Sequence, residues 1–167
     1  MRLLSLTARM AAYAEQTGEV VVGLVTISHP SLDTPLRFSS DPTTRLSTDP
    51  LLYGTASRGN PYNFLPMSIA LPEDSDDTPP ATKLVIDNVA RDMIPTIRSV
   101  STPGQVTTEF VLASSPDTVE ATWPNFDLVN STYDSGQVTC DLTVDAMATE
   151  PFPYGTFTPA QFPGLFG

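Results

Sequence analysis

The chain has 167 residues, enough for one domain with a substantial core and too few for two. Eight Lys and Arg stand against nineteen Asp and Glu, giving a formal charge of −11 and no basic cluster, which argues against a surface that grips phosphates. A single cysteine, Cys140, excludes an internal disulfide and any multi-cysteine metal site.

At the start of the chain, Leu3, Leu6, Met10 and Tyr13 recur at helical intervals. They predict a short helix within residues 1–17 that presents one apolar docking face and ends at Thr17-Gly18. The apolar run there is too short, and too broken by Arg9, for a signal peptide, and nothing later approaches the length of a membrane span. The expectation is a soluble protein made in the cytoplasm. Residues 20–27 form a β-branched run that is apolar on both faces, which predicts a central strand stopped by His29-Pro30. Strands are expected next at 35–38 and 45–48, with residues 39–43 turning between them.

Residues 49–62 carry Gly54, Gly59 and Pro61 among small polar residues and read as a flexible loop. A strand follows at 64–71, with Pro66 restricting its start to an edge or entry position. Residues 72–80 hold Glu73, Asp74, Asp76 and Asp77 between prolines. They lack the glycine turn and distal Glu of a calcium loop, so the expectation is a solvated hairpin loop. Residues 83–89 predict a strand. Asp92 then caps a short helix at 93–100 whose first turn accommodates Pro95.

Extended structure resumes at 105–113. Residues 118–123 alternate, with Val119, Ala121 and Trp123 inward and Thr118, Glu120 and Thr122 outward, and residues 126–133 follow as a neighbouring strand. Val138, Cys140, Leu142 and Val144 point inward from a last strand entered by a turn at Ser135-Gly136. About eight strands with turn signals between them predict a mainly β chain, an antiparallel β-barrel or sandwich spanning 18–148 with one or two short helices.

Residues 149–167 form an extended C-terminal arm rich in proline and aromatics. Proline removes backbone donors and pushes its predecessor to extended geometry, so the arm runs as a ribbon. Such a ribbon cannot bury Phe152, Tyr154, Phe157, Phe162, Leu165 and Phe166 against itself. These six are the candidate interaction residues, and they cover either their own domain or a neighbouring subunit.

Chemistry is sparse. His29 is the sole histidine, it lacks a nucleophile elbow, and it reads as a turn residue bonded to backbone. Cys140 alternates with core residues and reads as buried. No histidine pair suits zinc, no glycine-rich loop with a lysine behind it suits a phosphate, and no carboxylate pair is marked for acid–base work. No catalytic, cofactor-binding or metal residue is therefore assigned, and the chain is not read as an enzyme.

Several blocks together resemble a known family. They are Val25-Thr-Ile-Ser-His-Pro30, Leu84-Val-Ile-Asp-Asn-Val89, Phe110-Val-Leu-Ala-Ser-Ser-Pro-Asp-Thr-Val-Glu120, Glu150-Pro-Phe-Pro, and Phe157-Thr-Pro-Ala-Gln-Phe-Pro-Gly-Leu-Phe166. In these the chain is similar to small minor tail proteins of long-tailed bacteriophages, a family of unknown function encoded among the tail-tip genes and comparable to the lambda proteins M and L. The resemblance implies a virion location at the distal tail tip and a β-barrel of the tail-tube kind. It also implies a homo-hexameric ring, with a trimer as the alternative, joining the tail tube protein to the central hub near the tape measure protein. DNA would pass through an acidic lumen without specific binding, and neither cofactor nor membrane is involved. An iron–sulfur cluster of the kind held by lambda protein L is removed by the single cysteine. An assembly factor absent from the mature particle, and an accessory hydrolase or peptidase using His29 or an acidic pair, are the alternatives.

Overall fold

The computed structural model describes residues 4–70, 81–87, 104–134 and 136–144, together with Gly164. The acidic loop at 72–80, the helix expected at 93–100, and the six candidate interaction residues Phe152, Tyr154, Phe157, Phe162, Leu165 and Phe166 lie outside the described residues. Among the described residues one helix, α1 (Leu6–Tyr13), precedes ten strands: β1 (Val21–Ser28), β2 (Leu36–Ser39), β3 (Thr44–Thr48), β4 (Leu51–Ser57), β5 (Asn60–Phe64), β6 (Met67–Ile69), β7 (Ala81–Asp87), β8 (Gln105–Leu112), β9 (Ser115–Tyr133) and β10 (Gln137–Thr143). The protein is mainly β, as its sequence predicts.

All ten strands join one sheet in the order β3-β4-β5-β2-β1-β8-β9-β10-β7-β6. The sheet is mixed, which corrects the antiparallel expectation, because β2 and β5 pair in parallel through Phe38 with Asn63 and Ser39 with Phe64. The reason lies in residues 39–43. They do not fold β2 back onto β3, so the two later reversals at β3–β4 and β4–β5 return the chain to β2 heading the same way. Among the described residues strand pairing does not close the sheet into a barrel, and β3 and β6 are its ends. Only Leu65 and Pro66 separate β5 from β6. The Leu65 amide donates to the Ser39 carbonyl at 3.0 Å, and the Asp87 amide donates to the Pro66 carbonyl at 2.9 Å. Residues 60–70 thus bond β2 with their first half and β7 with their second.

β1 is the central strand that its two apolar faces predict. Val22 and Leu24 pack with Tyr62 and Val111 on one face. On the other face, Val25 joins Leu84, Ile86, Val106, Phe126, Val138, Cys140 and Leu142 in the main core. Burying each of these aliphatic side chains contributes roughly 1.5–3 kcal/mol. The smaller cluster exists because the β4–β5 hairpin lies over the outer face of β8 and β9. The Ser57 hydroxyl donates to the Pro116 carbonyl at 2.7 Å, and the Arg58 amide donates to Asp117.

Two further expectations are corrected. Residues 49–62, read as a flexible loop, form β4 and most of β5 because their breakers sit at special positions. Arg58 and Gly59 have φ of 49° and 76° and make a two-residue hairpin turn. Ser57 and Asn60 close that turn, so Pro61, opposite Ala56, falls at a pair that carries no ladder bond. Likewise, residues 118–123 and 126–133 are not neighbouring strands but parts of the single strand β9. Pro124 and Asn125, the latter at φ 60°, together oppose one residue of β8 and form a bulge that absorbs the proline.

Gly54 lies where the β-ribbon is tightest. A Cβ at this position would overlap the Tyr62 carbonyl oxygen and come within 2.9 Å of the Phe64 nitrogen, both backbone atoms. Gly59, in contrast, has open space around it and only its positive φ to satisfy. Gly54→Ala is therefore expected to destabilise the fold by more than about 2 kcal/mol, and Gly59→Ala by about 1 kcal/mol. Urea unfolding midpoints of the two variants check this order, and equal midpoints would refute it.

Candidate functional site

α1 begins at a polar anchor. Ser5 is its N-cap, and its hydroxyl accepts the Ala8 amide at 3.1 Å. The same hydroxyl donates to Glu120 Oε1 at 2.6 Å, while the Ser5 amide donates to Glu120 Oε2 at 2.7 Å. Glu120 is a buried carboxylate at 9% exposure. It thus sits against the positive end of the helix and takes up the donors left unpaired there. The sequence reading places Glu120 outward with Thr118 and Thr122. It turns inward because the β8–β9 ladder shifts register between Phe110 and Val111: Phe110 pairs Ala121 and Val111 pairs Val119, leaving Glu120 as the extra residue.

The helix itself is lightly seated. None of its residues is buried, it ends at Tyr13 and not at Thr17-Gly18, and Leu6, Met10 and Tyr13 are 73%, 65% and 88% exposed. The stripe these residues form faces away from the sheet, and the face toward it is made of alanines. Ala8, Ala11 and Ala12 look across an apolar cavity of about 220 Å³ toward Val21, Phe110 and Ala121, with Thr17, Glu19 and Glu120 also lining it. Small side chains on the helix leave this space unfilled. An eight-residue helix has little stability of its own in water, so the Ser5–Glu120 anchor is its principal attachment.

A second anchor holds the β4–β5 turn. The Arg58 guanidinium binds Glu109 with two nitrogens, Nη1 to Oε1 at 3.0 Å and Nη2 to Oε2, and reaches Ser57 Oγ at 3.2 Å and the Tyr62 hydroxyl at 3.4 Å. Its hydrogen bond with Glu109 raises the Arg58 pKa above the ordinary value despite partial desolvation. The bidentate geometry and the shielded Glu109 side chain fix the left-handed backbone at Arg58.

The residues weighed for chemistry are dispersed. His29 is buried in the turn after β1, where its Nδ1 accepts the Ser31 amide at 3.0 Å and its carbonyl accepts the Leu32 amide. Cys140 lies in the main core, and burial pushes its thiol up to about 11, with Asp141 adding to the effect. Asp134 accepts the Gly136 and Gln137 amides at 2.7 Å each, which holds its carboxyl below the usual range and shapes the β9–β10 turn. Among the described residues no group of three or more His, Cys, Asp or Glu could hold a metal ion, and no helix is long and apolar enough to cross a membrane.

What these features define is a class of β protein with a clamped helix, large apolar side chains turned outward and no assembled catalytic group among the described residues. Within that class the chain belongs to the family described as Domain of unknown function (DUF1833), whose model matches residues 7–157 and so takes in nearly all of α1 and every strand. No curated protein matches the chain.

Two outcomes follow from the anchor and the core thiol. Ser5→Ala and Glu120→Gln are each expected to cost about 1–2 kcal/mol and to raise amide exchange selectively across 6–13, as read by hydrogen-exchange mass spectrometry. Unchanged exchange there would mean that the anchor does not hold the helix. For Cys140, the folded pKa exceeds the unfolded one, so the unfolded chain loses its thiol proton first as pH rises. Stability is fully present below pH 9 and falls between pH 9 and about 11. Chemical denaturation across that range should lose part of its pH slope in Cys140→Ala.

Proposed function

We propose that the chain is a structural minor tail protein of a bacteriophage tail tip, acting by assembly and not by chemistry. The observation that carries this reading is the placement of its large apolar side chains. Leu6, Met10 and Tyr13 on α1, Val20 and Val21 at the entry to β1, and Leu51 and Tyr53 on β4 lie exposed, outside the two buried clusters. A stripe of large exposed hydrophobes on one helix face, as Leu6, Met10 and Tyr13 form on α1, is of the kind that other protein covers. The resemblance of its residue blocks to small tail-tip proteins supports this reading of the assembly.

In this reading the sheet is a barrel of the tail-tube kind. Residues 60–70 bridge β2 through Leu65 and β7 through Pro66, which brings β2, β1, β8, β9, β10 and β7 round into a ring, and the turn of the β4–β5 hairpin lies over its outside. Copies associate into a hexameric ring between the tail tube protein and the central hub protein, near the tape measure protein. The formal charge of −11 suits a lumen through which DNA moves without adhering. The polar edge strand β3, with Thr44, Arg45, Ser47 and Thr48, offers backbone groups for pairing across subunits.

Quantitative mass spectrometry of purified phage particles tests this reading, with the chain counted against the tube and hub proteins. A hexameric stoichiometry relative to a trimeric hub is expected. Absence from the particle would overturn the structural role and leave an assembly factor, or an accessory hydrolase, in its place.

A further inference from the structure

The cavity under α1 and the aromatic segment 150–167 each lack something the other supplies. The cavity has alanines on the helix side and Val21, Phe110 and Ala121 on the sheet side, and at about 220 Å³ it is unfilled. Apolar cavities of roughly 150 Å³ already accept a benzene ring, so this one has room for an aromatic side chain. After Glu150, residues 151–167 carry no charged side chain. Nothing in their side chains is repelled by the Glu19 and Glu120 carboxylates that line the cavity.

Chain length sets which aromatics reach. β10 ends at Thr143 beside Asp127, and Asp127 pairs Gln105 at the start of β8. The cavity lies at the other end of β8, near Phe110 and Leu112, about 24 Å away at the usual rise per strand residue. From Val144 to Phe152 an extended chain spans at most about 27 Å. Pro151 and Pro153 favour that extension in their predecessors. Phe152 is therefore the first aromatic able to arrive, with Tyr154 and Phe157 close behind.

We propose that the chain's own segment 150–167 docks in cis beneath α1, inserting one of Phe152, Tyr154 and Phe157 between the alanine face of the helix and the β8–β9 hairpin. Tethering favours this occupant over a separate copy, because a short linker holds the segment at millimolar effective concentration. The inserted ring supplies the contacts that the alanines of α1 do not. It turns a helix held by one cap into a packed element whose outer face is then fixed. The docking concerns the single chain and stands whether or not the chain belongs to a tail tip.

Disulfide trapping in the full chain tests it. In a Cys140→Ala background, Ala11→Cys combined with Tyr154→Cys is expected to cross-link within monomers at least tenfold faster than Leu51→Cys combined with Tyr154→Cys. Cross-linked dimers from the first pair would assign the cavity to a neighbouring copy's segment and overturn docking in cis. Equal rates for the two pairs would overturn it as well. An independent readout avoids engineered cysteines. Ala11→Phe fills the cavity from the helix side, and it is expected to raise chymotryptic cleavage within 150–167 at least tenfold while cleavage within the sheet stays unchanged. Identical cleavage in Ala11→Phe and the unmodified chain would refute the proposal.

Discussion

Burial of β1 on both faces is the constraint from which the remainder of the architecture follows. A strand whose side chains all seek an apolar environment cannot lie at an edge or on a one-layered sheet. Val25 is served by the curled sheet of β8, β9, β10 and β7, whose inward residues fill one core. Val22 and Leu24 point the other way and need a second cover, which the β4–β5 hairpin provides with Tyr62. Each cover requires a geometric device to reach its place. The hairpin needs the tight turn at Arg58-Gly59 and the glycine at position 54, and the curled sheet needs the bulge at Pro124-Asn125.

The two clamps, Arg58–Glu109 and Ser5–Glu120, have the same logic. In each, a carboxylate on the β8–β9 pair receives two donors from an element that packs on the sheet without belonging to its hydrogen-bonded neighbours there. Apolar contact alone would position neither element. The Arg58 turn projects a long polar side chain, and α1 presents alanines. Directional, charge-assisted hydrogen bonds fix both at little cost in buried area. Glu109 and Glu120 thus differ in role from Asp134, whose carboxylate shapes only its own turn.

How much was legible in the sequence divides along physical lines. Local periodicity was readable: the two-faced β1, the alternation of Val138, Cys140 and Leu142, and the turn at His29-Pro30 all stand where pattern and proline placed them. Breakers misled. Gly54, Gly59 and Pro61 read locally as loop signals, and residues 118–123 and 126–133 read as two strands. Whether such a residue ends a strand or lets one turn, bulge or approach another is settled by partners far along the chain. The Glu120 anchor was hidden for the same reason. Its partner Ser5 lies 115 residues away, and one bulge inverts the face that alternation assigns to it. An N-cap reading of Ser5 was available locally and would have found half of the site.

The helix shows why a correct period can still give a wrong orientation. Leu6, Met10 and Tyr13 do share a face, but a stripe does not say what it packs on. For a helix on its own domain, the large stripe normally faces inward, where each residue would contribute roughly 1.5–3 kcal/mol. Here the inward side is the alanine side, because Glu120 captures Ser5 and sets the rotation of the helix about its axis. One buried carboxylate thereby overrides several potential apolar contacts and leaves them outside. That arrangement leaves Leu6, Met10 and Tyr13 in contact with solvent, at the cost of the burial each would otherwise contribute. The polar anchor, and not hydrophobicity, determines which surface the protein offers to its surroundings.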